Sequence, residues 1–295
     1  MLNATGFDKR LIALAATVLL ASACSNSAPP ADAKPPSASP AAQSKPAEPA
    51  KAAAAVDAPP KAPLLEQQVA YGEARKRNLV GFLAMPADAA EPLPGVIVIH
   101  EWWGLNDNIK TWTRKIASEG YVALAVDLYG GATADTPDKA RALMTALIDD
   151  PDAARANLKQ AYDYLAKYAL APRIGSVGWA LGGGWSLQTA LMLPDQLHAM
   201  VTYYGPISGS DAELATLGMP VLGFFAGLDE SIPVRDVLKF RSTLLKAGKP
   251  AEIVIFPKAQ AGFASPDSGT YDEQAATESW QKTLAFLAEN LKAPH

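Results

Sequence analysis

A single α/β domain on a mostly parallel sheet, with helices on both faces, is expected from three observations. Apolar runs of strand length alternate with helically spaced stretches along the whole C-terminal three-quarters of the chain. The run Gly95-Val96-Ile97-Val98-Ile99-His100 is continuously apolar up to its histidine rather than alternating, as in a strand buried on both faces. About 230 residues from position 65 onward suit one large domain.

The elements come in order along the chain. A polar turn is expected at Glu73 to Arg77 and a strand at Val80 to Met85. After the Gly95 strand, Asn106 to Ser118 places Ile109, Trp112 and Ile116 on one helical face. Val122 to Val126 reads as a strand, followed by helices at Pro137 to Ile148 and Asp152 to Tyr168. Ile174 to Val177 is the next strand, with a helix from about Gly183 to Leu193. Met200 to Tyr204, Val221 to Phe225 and Ile253 to Phe256 complete the strands, with helices at Val234 to Ala247 and Gln274 to Leu291. No internal repeat of solenoid period is present.

Residues 1–23 read as an export signal: Lys9 and Arg10, an apolar core from Leu11 to Leu20, then Ala21-Ser22-Ala23. Small residues before Cys24 resemble the lipobox of bacterial lipoproteins, although Ala21 holds the place where leucine is preferred. Ala-Ser-Ala also suits ordinary signal peptidase. The lipoprotein reading gives the lone cysteine a use and implies a periplasmic or cell-envelope protein on a lipid anchor. Residues 24–62 are dominated by Ala, Pro, Ser and Lys, the composition of a disordered tether. The folded domain is then 63–295.

Composition removes several function classes. The chain is 49% apolar and 19% charged with net charge −4, which fits neither a disordered chain nor a nucleic-acid binder. With Cys24 as the one cysteine, the domain holds no disulfide, thiolate metal site or cysteine nucleophile. No cofactor motif is evident: G-x-G-x-x-G is absent, and no His-carboxylate spacing suits a metal.

Chemistry in such sheets gathers beyond the carboxyl ends of the strands. There, Val177-Gly178-Trp179-Ala180-Leu181-Gly182-Gly183 passes from a strand directly into a helix, with small residues around a central position. That is the pattern of a nucleophile elbow, whose turn thrusts the central side chain into the cleft. The central side chain here is a methyl group.

With these residues in view, the domain resembles the dienelactone hydrolase family of the α/β-hydrolase fold. Val98 to Asn106, including His100-Glu101 and Gly104-Leu105-Asn106, is similar to the family's strand-end motif. Val126-Asp127-Leu128-Tyr129-Gly130 matches its Asp-Leu-Tyr segment, and Gly227 to Pro233 the loop that carries the triad acid. Phe256 to Phe263 resembles the segment that carries the triad histidine, and Tyr271-Asp272 is similar to the stretch after that histidine. The resemblance implies hydrolysis of a carboxylic ester, lactone or thioester. It implies Asp229 as the triad acid, Ala180 at the nucleophile position normally held by cysteine, and Ala261 at the base position normally held by histidine. It further implies Glu101 as the acid pointing at the nucleophile and the N–H groups of Trp102 and Leu181 as the oxyanion hole.

On this reading the triad is disabled. His100 reads as a buried structural histidine, His198 lies at the wrong edge of the sheet, and His295 is terminal. Neither Ser176 nor Ser186 occupies the elbow. Trp102, Trp103, Tyr129, Trp179 and Tyr203 are candidates for an apolar pocket around a small ester or lactone, each also explicable as ordinary packing. The arginines that hold the carboxylate of dienelactone in the family have no counterpart at Gly130-Gly131-Ala132 or Gly262 to Ser265, which favours a less charged substrate. Two accounts stay open: a hydrolase whose two catalytic residues were replaced, and a natural pseudoenzyme or tethered binding module. Oligomeric state is not legible.

Overall fold

The computed structural model describes residues 63–74 and 77–292; the expected export signal, Cys24 and the tether lie outside the described residues. Eight strands alternate with seven helices there: β1 (Leu64–Ala74), β2 (Arg77–Pro86), β3 (Gly95–Ile99), α1 (Asp107–Ser118), β4 (Val122–Val126), α2 (Pro137–Asp149), α3 (Pro151–Lys167), β5 (Ile174–Trp179), α4 (Leu181–Met192), β6 (Ala199–Tyr203), α5 (Asp211–Leu214), β7 (Val221–Ala226), α6 (Val234–Lys246), β8 (Ala251–Phe256) and α7 (Glu273–Leu291). They form one sheet in the order β1-β2-β4-β3-β5-β6-β7-β8. Strands β3 to β8 run parallel, while β2 pairs antiparallel with both β1 and β4.

The sheet divides the core in two because side chains alternate across a strand. On β3, Ile97 and Ile99 face a layer formed with Leu158 and Leu165 of α3, Trp185 of α4, and Phe240 and Leu244 of α6. Val96 and Val98 face the opposite layer, with Ile109, Trp112 and Ile116 of α1 and Leu287 of α7. All five residues of β3 are buried, as its unbroken apolar run requires.

Helix boundaries follow capping chemistry. Asn106 accepts from the Ile109 N–H at 3.2 Å and starts α1. Thr136 before Pro137 and Asp150 before Pro151 place a capping oxygen and then a proline at the first helical position of α2 and α3. Asp150 ends one helix as it opens the next. No helix among the described residues is long and apolar enough to cross a membrane.

Two elements depart from the sequence expectations. The polar segment before Val80 is largely strand: β1 forms a sheet edge in which Val69 and Tyr71 are the buried residues and Glu66, Gln67 and Gln68 are exposed. The one-turn helix α5, closed by a capping box between Ser210 and Glu213, was not expected either.

Tyr203 ties the sheet to α7. Its hydroxyl donates to the Ser279 carbonyl at 3.1 Å and lies 2.6 Å from the Thr283 hydroxyl, all three side chains being buried. Tyr203→Phe is expected to cost about 1 kcal/mol in urea unfolding, because two buried partners lose a bond and gain no water.

Candidate active site

The cleft lies beyond the carboxyl ends of the parallel strands. It has a volume of about 1370 Å³ and is lined by residues that include Glu101, Trp102, Trp103, Ala180, Asp229 and Ala261. Ala180 follows β5, Asp229 follows β7 and Ala261 follows β8, so three separate strand ends bring these positions to one cavity.

Ala180 has φ 47° and ψ −116°, a left-handed backbone that a non-glycine residue adopts only under strain. Its N–H donates to the Tyr203 carbonyl at 2.9 Å and its carbonyl accepts from Gly184 at 3.2 Å, which holds the turn from both sides. Glycine neighbours make the turn feasible. A Cβ on Gly178 would lie 2.0 Å from the Gly182 carbonyl oxygen, and one on Gly182 would lie 2.2 Å from that of Ile99. Ala180→Gly is expected to stabilise the fold by about 1 kcal/mol, since relief of strain outweighs glycine's greater unfolded-state entropy. Urea melts of the two proteins check this, and a loss of stability would mean that the elbow holds no strain.

Helix α4 begins at Leu181, immediately after Ala180, and has no side-chain cap. Among the described residues, neither the Leu181 N–H nor the Trp102 N–H donates to a backbone carbonyl outside the regular elements. The positive end of the helix therefore faces the cleft with an available donor.

Glu101 is buried, and its carboxylate accepts no hydrogen bond among the described residues, although its side chain lines the cleft. Burial, assisted by the facing Asp267 carboxylate, pushes it up to about 7. The Tyr204 phenol also lines the cleft and faces Glu101; burial and that charge push it well above the ordinary tyrosine value. Asp229 accepts from the N–H groups of Ser231 at 2.7 Å and Ile232 at 3.1 Å. Burial nevertheless raises it. Ala261 offers no side-chain chemistry, and its carbonyl accepts from the Thr270 hydroxyl at 2.6 Å.

The other candidates fall elsewhere. Trp179 does not line the cleft: at the end of β5 its side chain turns to the opposite face, stacked between Trp112 and Tyr203 at 5.3 and 5.4 Å. Tyr203 sits in the same buried layer. Tyr129 also stands off the cleft, against His100 at 4.7 Å between centroids. His100 is fully buried, its Nε2 accepting from the Leu128 N–H at 3.1 Å and its Nδ1 lying 2.6 Å from the Glu101 carbonyl. Burial lowers it, so it is a neutral structural tie between two strand ends. Ser176 and Ser186 bond each other at 2.8 Å inside the core. Among the described residues no three His, Cys, Asp or Glu side chains cluster so as to hold a metal ion.

The dienelactone hydrolase family profile matches residues 79–291, which take in the turn at Ala180 and the loops of Asp229 and Ala261. The chain belongs to the dienelactone hydrolase family. Protein usf of Aquifex pyrophilus is 34% identical over 220 residues, covering 72% of this chain and 93% of that protein. A protein of Escherichia coli O157:H7 named "Putative carboxymethylenebutenolidase" is 31% identical over 228 residues, covering 72% of this chain and 83% of its own. Among solved structures, one titled "Putative Dienelactone Hydrolase" from Klebsiella pneumoniae superposes with a TM-score of 0.69 at 29% identity, covering 77% of this chain and 99% of that one. The dienelactone-hydrolase-like phosphotriesterase P91 from metagenomic libraries shares the fold, with a TM-score of 0.71 at 22% identity over 77% of this chain and 98% of its own.

Sequence reasoning missed Tyr204 and Asp267 as members of this dienelactone hydrolase cleft. Tyr204 was within reach of it, being the residue at a strand end where chemistry gathers, and its φ of 37° marks a second strained position beside the elbow. Asp267 lies in an irregular loop whose spacing carries no signal.

Proposed function

We propose that this domain is a hydrolase scaffold for a carboxylic ester, lactone or thioester, disabled because Ala180 and Ala261 occupy the nucleophile and base positions. The observation that carries the reading is the strained backbone of Ala180, set at the mouth of α4 and presenting a methyl group to the cleft. A strained elbow has use where a reactive atom is displayed on it. A methyl group neither attacks a carbonyl nor accepts a proton, so Asp229 has no imidazole to orient.

The rest of the apparatus has definite roles on this reading. An ester carbonyl seated over Ala180 directs its oxygen at the N–H groups of Trp102 and Leu181, where negative charge would be stabilised. In a complete site a thiolate at position 180 adds to the carbonyl carbon, and the alcohol leaves with a proton from an imidazolium at 261. Water, deprotonated by that imidazole, then hydrolyses the thioester. Asp229 holds the imidazole tautomer through its Nδ1–H. The sequence also supports export and attachment through Cys24.

The test is hydrolysis of 4-nitrophenyl acetate by this chain beside its Ala180→Cys, Ala261→His double variant. The expected results are background turnover for the former and a large gain for the latter. A folded but inert double variant would favour the second reading, a natural binding module, for which the unpartnered Glu101 carboxylate is the supporting observation.

A further inference from the structure

We infer that the cleft takes a cationic ligand, an ester or lactone carrying an alkylammonium group, held between the Trp102 and Trp103 indoles and the Glu101 carboxylate. The ester part rests on the function proposed above; the charge and its seat rest on three other observations.

The first is Glu101 itself. It is 8% exposed, lines the cleft, and accepts no hydrogen bond among the described residues. What faces it is a like charge, Asp267, and the Tyr204 phenol, whose buried hydroxyl makes no well-formed hydrogen bond either. With a methyl group at position 180, where the nucleophile would meet it, this carboxylate has no partner; a buried charge so placed is costly, and a bound cation relieves it.

The second is the charge of the walls. Seven carboxylates line the cleft against two basic side chains, Arg141 and Lys239. Arg141 is already paired with Asp138 at 2.8 Å. Such walls repel an anion and concentrate a cation.

The third is aromatic. Trp102 and Trp103, adjacent in sequence to Glu101, both line the cleft with ring centroids 4.8 Å apart and planes tilted by 57°. Their position is fixed by the backbone: the Glu101 carbonyl accepts from Gly104 at 3.3 Å and the Trp103 carbonyl from Ala134 at 3.0 Å. Indole faces attract ammonium groups, most strongly when the site is shielded from water. Two tilted indoles lining the same cleft as a buried carboxylate supply the groups of an ammonium seat.

The experiment is equilibrium binding by calorimetry at pH 8, where Glu101 is largely ionised, using the full chain. With no nucleophile displayed at the elbow, binding is read without turnover. Three probes of similar size differ in charge: acetylcholine, its uncharged carbon isostere 3,3-dimethylbutyl acetate, and the anionic monomethyl succinate. Acetylcholine is expected to bind about tenfold more tightly than the isostere, and the succinate most weakly. Glu101→Gln and Trp103→Leu should each remove most of that preference, read as the ratio of the two dissociation constants within each variant. If the isostere binds as well as acetylcholine, the ammonium seat is wrong and the ester site stands. Tightest binding of the succinate overturns the charge argument outright, and failure of all three probes overturns both the seat and the ester site.

Discussion

Restoring Cys at position 180 and His at position 261 together is expected to raise ester hydrolysis by about 10³-fold or more over the chain as it stands. On the proposed reading the magnitude reflects the two absent side chains, because donors and binding surface alone leave most of a triad's contribution unrealised. The two single variants should fall far short of the double. Ala261→His supplies a base with no nucleophile to activate. Ala180→Cys supplies a thiol at the start of α4, where the helix N-terminus favours the thiolate. Without an imidazole, however, neither the leaving alcohol nor the attacking water has a proton partner. A burst of 4-nitrophenol without steady turnover is the result expected for that variant. The double variant should show both burst and turnover. Equal rates for the double variant and Ala180→Cys would remove Ala261 from the base position.

Glu101→Gln is expected to stabilise the fold by roughly 3 kcal/mol at pH 8 and by nothing measurable near pH 4.5. Burial first, and then the Asp267 carboxylate, hold Glu101 at about 7 in the folded protein against an ordinary 4.5. Between those values the folded state keeps a proton that the unfolded state releases, so this group's contribution to stability falls as pH rises through that window. Above it, the folded protein carries the full cost of a buried charge. Glutamine keeps the shape and removes the titration. Asp229 is also raised by burial and acts in the same direction, but it is common to both proteins and cancels in the comparison. Urea unfolding at the two pH values provides the measurement. A variant no more stable than its parent at pH 8 would mean that the Glu101 carboxylate is already compensated in the folded chain.

Most of the fold was legible because a parallel sheet buried on both faces leaves unbroken apolar runs, as at β3, and because Asn106, Asp150 and Asp272 cap helices at positions where capping residues are favoured. Strand β1 was not legible. A sheet edge with two buried residues in eleven has neither a run nor a clean alternation. The elbow was visible from its glycines, since close backbone approach at Gly178 and Gly182 admits no other side chain. Trp179 was misplaced because composition near an elbow does not reveal which face of the strand a side chain takes; β5 turns it into the layer shared with Trp112. The juxtaposition of Glu101 with Asp267 and Tyr204 was hidden for a different reason. It joins the ends of β3 and β6 to a loop after β8, elements far apart along the chain.

The edge strand β1 has a consequence for how the domain behaves at high concentration. An exposed strand is an invitation to another chain, and this one is spoiled in three ways. Its outer positions carry Glu66, Gln67 and Gln68, its register slips between Ala70 and Gly72, and Glu66 is tied down by Arg114 at 2.9 Å. A neighbouring molecule adding a strand there would meet carboxylate and amide side chains on a kinked ladder rather than a flat apolar template. Crowded copies of this domain should therefore find a poor template for strand addition along β1, one of the two edges of the sheet.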